Sequence, residues 1–216
     1  MLLAVLWLLA PAARAAPDTY VTRLEAALLL QTLNADLLGH DSATLTLQRW
    51  CSRHQLASPA RIVAERVRGA YQAPTDEQRQ QLRVTPVEEV RYRHVRLLCG
   101  TVVLSEADNW YVPARLTPEI NQRLDTSDTP FGVAVQALHL QRHTLSAEVL
   151  WQVLAPEWEM QPAAAAAAQG ELCVPPQVLR HRALLTLPDG TPFSEVVETY
   201  TSEALVVPRL AAVHHC

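Results

Sequence analysis

Among the charged side chains inside runs that read as β-strands, four basic and two acidic ones stand out. Arg91, Arg93, His94 and Arg96 fall in Val87–Leu98, and Glu195 and Glu198 fall in Phe193–Tyr200. A strand buried on both faces tolerates charge only where a partner or a ligand compensates it. Brought together, these residues could line a cavity in which an arginine holds a carboxylate and a glutamate holds a hydroxyl. The alternative for each is an edge strand with one solvated face. Glu195 and Glu198 are three residues apart, so a regular strand puts them on opposite faces. Glu198 is then the acid of interest, and Glu195 is expected to be nearly silent to substitution.

Other machinery is missing. There is no G-x-G-x-x-G, G-x-S-x-G, H-E-x-x-H or EF-hand pattern. No lysine occurs, which removes Schiff-base and P-loop chemistry. No metal site is expected, because Cys51, Cys99, Cys173 and Cys216 show neither a C-x-x-C pair nor zinc spacing. The ending His214-His215-Cys216 is ligand-like in type but reads as a short tail. The four cysteines allow two bridges in three connectivities, or four unpaired small apolar side chains, which suits Cys99 in its apolar run.

The chain has 216 residues and a formal charge of −4, with 49% apolar and 19% charged residues. That suffices for one domain with a core and excludes a disordered chain. The mild acidity argues against a nucleic-acid partner, which needs a dense basic face. Leu2–Ala10 is apolar and Ala13-Arg14-Ala15 follows it, the pattern of a signal peptide over 1–15. A periplasmic or secreted domain over 16–216 is expected, with no membrane contact once the signal is removed; without cleavage the location is cytoplasmic. Residues 162–170, a proline and six alanines followed by Gln169 and Gly170, read as a surface insertion.

The positioning elements follow from periodicity. Tyr20–Leu38 carries apolar residues at three- and four-residue steps and is a helix; Thr44–Cys51 is a second. Thr75 and Thr117 are N-caps, the latter with Pro118 at the first helical position. Ile62–Val67, Val87–Leu98, Val102–Val112, Ala134–Leu140, Thr144–Val153, Leu179–Leu187 and Phe193–Tyr200 read as strands. Turns fall at Cys99-Gly100-Thr101 and Pro188-Asp189-Gly190-Thr191. Helices first and antiparallel strands after indicate an α+β fold.

On these pieces the chain resembles the chorismate pyruvate-lyase family, which shares a fold with effector-binding domains of some bacterial transcription repressors. Leu37–Thr44 resembles the lyase segment ending Ser-Met-Thr. Arg91–Cys99 resembles the strand bearing the family's carboxylate-binding arginine. Thr129-Pro130-Phe131-Gly132 resembles its Thr-Pro-Leu-Gly loop, and Asp189–Pro192 with Glu198-Thr199-Tyr200 resembles its last hairpin and active-site glutamate. The resemblance covers about residues 25–205.

It implies a single antiparallel sheet of about six strands with helices on one face, and a cofactor-free lyase that eliminates pyruvate from chorismate or a related cyclic enol ether. Glu198 would be the acid, Phe131 and Gly132 would belong to the binding loop, and Ala43 would replace the pocket-lining methionine. Counting back from Cys99, the arginine slot holds His94. Arg96 shares its face and is the expected catalytic cation, while Arg93 flanks it on the other side. The other reading is a non-catalytic envelope domain binding a small, aromatic carboxylate; a structural domain would fill the cavity with side chains. A DNA-bound regulator is not expected, since no helix-turn-helix pattern or basic segment precedes the domain. The oligomeric state is left open.

Overall fold

The computed structural model describes residues 16–161, 170–206 and 214–215. Its strands are β1 (Ile62–Arg66), β2 (Arg91–Cys99), β3 (Val102–Tyr111), β4 (Gln141–Val149), β5 (Cys173–Val174), β6 (Gln177–Thr186), β7 (Pro192–Thr201) and β8 (His214–His215). Six of them form one antiparallel sheet in the order β1-β2-β3-β7-β6-β4, and β5 pairs in parallel with β8. The architecture is the α+β fold expected. The expected signal peptide, and residues 162–169 of the alanine-rich insertion, lie outside the described residues.

The main helices lie on one face. In α1 (Tyr20–Leu38) the Thr19 side chain accepts from the Thr22 N–H, and Ala26, Leu30, Leu33 and Leu37 are buried at helical steps. Burying each leucine is worth about 1.5–3 kcal/mol. Helix α2 (Ala43–Arg53) starts at Ser42, whose hydroxyl accepts from Leu45 N–H, and buries Leu47, Trp50 and Cys51. Both helices pack on a core shared with Val95, Leu97, Ala107, Val196 and Tyr200 of the sheet. The short α3 (Asp76–Gln81) sits on the opposite face, where Leu82 packs against Trp110 and Val112. Trp110 is therefore buried, but under α3 rather than in the main core.

One open alternative is decided and one expectation changes. Cys51 and Cys99 are joined by a disulfide, both fully buried, tying α2 to the end of β2. Cys99 is thus not an unpaired apolar residue, and Cys173 is also disulfide-bonded. Ala134–Leu140 is not a strand: it follows α4 (Pro118–Thr126) as α5 (Phe131–Ala134) and a 3-10 turn at Gln136–Leu138. Phe131, Val135 and Leu138 recur at helical spacing and pack with Tyr111 and Leu124, which outweighs the apparent alternation.

The second sheet face is polar and largely self-paired. Arg96 bonds Glu106 at 3.1 Å and approaches Glu65 at 3.8 Å; His94 Nδ1 lies 2.7 Å from Asp108. Glu195 on this face is not a solvated control. It is fully buried, accepting from Arg182 Nε at 2.7 Å and from Gln78 Nε2 at 3.3 Å. Helix α3 covers it, so the expectation of silence fails.

Candidate functional site

A narrow cavity opens between the covered sheet face and the helices. Its floor is β2, β3 and β7, and its roof is the start of α2 with Phe131 and Gly132. About 510 Å³ of space lies between the walls and at the mouth. The facing walls leave only a narrow slit. Gly132 makes the roof close: a Cβ there would sit 2.7 Å from Ser42 Oγ and 3.1 Å from Thr44 Oγ1.

Arg93 stands on the floor of this slit, 4% exposed. Its Nη2 donates to the Thr129 carbonyl at 3.1 Å and the Ser127 carbonyl at 3.5 Å. Its Nε and Nη1 are buried with no acceptor, and no ion pair joins it to an acid among the described residues. Burial, and the nearby charge of Arg66, push the guanidinium down to about 10. It remains a cation at neutral pH with no ion-pair partner among the described residues; Tyr111, Asp128 and Asp125 offset the burial only in part, so the arrangement disfavours the folded state unless an anion answers it.

The roof adds to this polarity. Ser42, Ala43 and Thr44 bring the positive end of α2 to the cavity. The first-turn N–H groups of Ala43 and Thr44 have no acceptor within the helix.

Glu198 lies on β7 in the same cavity. Arg142 Nη2 donates to its Oε2 at 2.6 Å, and Tyr200 Oη donates to the same atom at 3.1 Å. The ion pair is 5% and 8% exposed. Burial opposes the charge on Arg142, but Glu198, then Tyr200 and Asp41, outweigh it and raise its pKa. Burial, then Glu198, hold the Tyr200 phenol well above its ordinary value. Behind them His181 bonds Asn34 Oδ1 at 2.8 Å, and burial lowers its pKa.

The slit brings together five residues expected from the sequence: Ala43, Arg93, Phe131, Gly132 and Glu198. It does not include His94 or Arg96. Strand β2 alternates regularly, with Arg93, Val95, Leu97 and Cys99 buried, so the arginine on the cavity face is Arg93. Arg96 is exposed among glutamates on the other face, and the catalytic role expected for it has no geometric basis. Three contributors were missed. Arg142 precedes the strand read from Thr144 onward, Asn109 sits in the polar-aromatic stretch Ser105–Trp110, and Ser194 orients Asn109 from β7.

No protein-family model matches the chain. The uncharacterized protein y4mC of Sinorhizobium fredii is 51% identical over 193 residues, 89% of this chain and 81% of the relative. The chain belongs to the y4mC family. Among solved structures, the effector domain of PhnF from Mycobacterium smegmatis matches with a TM-score of 0.50 at 11% identity, over 76% of this chain and 90% of that one. The possible transcriptional regulator YydK of Bacillus subtilis matches with a TM-score of 0.41 at 16% identity, over 67% of this chain. The chain spans about 60% of that regulator. At these identities the likeness is one of fold.

Proposed function

We propose that this y4mC-family domain binds a small organic carboxylate, with Arg93 as the anion seat. One observation carries the reading: Arg93, a buried guanidinium with two donor nitrogens that have no acceptor, lines a cavity flanked by a helix N-terminus. A carboxylate there would supply both the missing acceptors and the missing charge. The apolar floor of Val95, Ala107 and Val196 suits the ligand's body. An exported location agrees with the Cys51–Cys99 and Cys173 disulfides, which persist in oxidising compartments. The test is calorimetry with benzoate and 4-hydroxybenzoate. Binding to wild type that Arg93→Met abolishes is expected; absence of binding by either compound would defeat the reading.

The lyase is the second reading, favoured by the presence of Glu198 in the same cavity. Its carboxylate would have to meet the ring oxygen of a cyclic enol ether, yet it is already held by Arg142 and Tyr200. Elimination would therefore require that pair to open. No cofactor enters either reading. A coupled pyruvate assay decides: release from chorismate by wild type but not by Glu198→Gln supports catalysis, and folded, inactive wild type removes it.

A further inference from the structure

We infer that Asn109 is the second donor of the anion seat and, with Ser194, restricts it to monocarboxylates; this rests on the binding reading above. Asn109 is the cross-strand partner of Arg93, is 4% exposed, and lines the same cavity. Ser194 Oγ donates to Asn109 Oδ1 at 2.8 Å. With its carbonyl oxygen engaged by the serine, the side chain has its amide N–H groups left to offer the cavity. A carboxylate on Arg93 can then place one oxygen on the guanidinium and the other within reach of a neutral amide.

The charges around the slit set the valence of the ligand. Arg142 and Glu198 neutralise each other. Asp41, also on the wall, accepts from the Arg142 backbone N–H at 3.2 Å. That leaves Arg93 as the slit cation with no ion-pair partner among the described residues, and Asn109 as a donor without charge. With Asp41 also negative the slit carries no surplus positive charge, so this seat accepts a monoanion on Arg93 more readily than a dianion. A phosphonate, with a second negative charge at pH 8, would leave that charge unanswered near two carboxylates. Ser194 acts through Asn109 as a positioning residue, because it fixes which end of the amide the ligand meets.

The experiment is calorimetry at pH 8 with benzoate and phenylphosphonate on wild type, Asn109→Leu, Ser194→Ala and the double variant, beside thermal unfolding. Wild type should prefer benzoate by tenfold or more. Asn109→Leu should weaken benzoate roughly ten- to hundredfold, as expected for a hydrogen bond to a charged group, while barely changing phenylphosphonate. Ser194→Ala should lose less, and the double variant should match Asn109→Leu. If Asn109→Leu does not fold, the isosteric Asn109→Asp serves instead: it should lose benzoate while pairing with Arg93 and raising the melting temperature. Unchanged benzoate affinity in Asn109→Leu (or in Asn109→Asp where it stands in), or equal affinities of wild type for the two anions, overturns the inference and leaves the binding reading standing. Wild type that binds neither anion overturns both.

Discussion

Replacing Arg93 by methionine should abolish benzoate binding and stabilise the fold. The fall of the Arg93 guanidinium from its ordinary value to about 10 puts roughly 3 kcal/mol on its charged form, at about 1.4 kcal/mol per tenfold. Because the folded value lies below the unfolded one, this penalty is fully present at neutral pH. It would be relieved only as pH rises past about 10, where the folded chain loses the proton first. Methionine fills similar volume and removes the penalty. It also leaves the Thr129 and Ser127 carbonyls without their donor, a loss of about 1–2 kcal/mol. The net expectation is a gain of about 1–2 kcal/mol, or roughly 2–8 °C in melting temperature for a chain of this size. Thermal unfolding and benzoate calorimetry on the same preparations give both numbers. A variant that is destabilised by about 2 kcal/mol or more and still binds benzoate would show Arg93 to be a structural tie between β2 and the Ser127–Thr129 loop, and would refute the reasoning.

Three other outcomes follow from packing and charge. Replacing Cys51 and Cys99 by alanine opens a link across 48 residues and should cost about 4 kcal/mol in denaturant unfolding, whereas a change under about 1 kcal/mol would contradict this. Glu195→Gln should lower stability by about 1–3 kcal/mol, because it weakens a buried acceptor of Arg182, whereas an unchanged midpoint would mean α3 does not cover it in solution. His181 has a pKa lowered by burial, so the unfolded chain takes up the proton first and stability should fall as pH drops below about 6.5. His181→Gln should flatten that part of the stability profile, and an equally steep profile would assign it to other groups.

Much of the fold was legible because local signals agreed with tertiary ones. The α1 bounds follow from apolar spacing, and Thr75 and Thr117 cap α3 and α4 as their sequences predict. The Asp189-Gly190 turn forms with Gly190 at φ +81° and Thr191 N–H bonded to Asp189. The errors concern which face of an element is buried. Leu97 and Leu98 are both apolar, so composition does not reveal which face of β2 points inward. The bond from Cys99 to Cys51 does, and cysteine pairing was open in the sequence. The sequence reading therefore turns Arg96 toward the cavity and Arg93 away from it, the reverse of the arrangement that forms. Glu195 was misjudged because a six-residue polar helix gives no sign of the sheet face it will cover. Arg142 was missed because an exposed edge strand lacks the alternation that marks a half-buried one.

A crystal structure with 4-bromobenzoate, phased on bromine anomalous scattering, tests the anion seat most directly. The expected result is one bromine in the slit between α2 and the sheet, with the carboxylate within hydrogen-bond distance of Arg93 and Asn109. Bromine only outside that slit, or a carboxylate inside it that leaves the Arg93 Nε and Nη1 donors unanswered, would contradict the assignment of Arg93 as the seat.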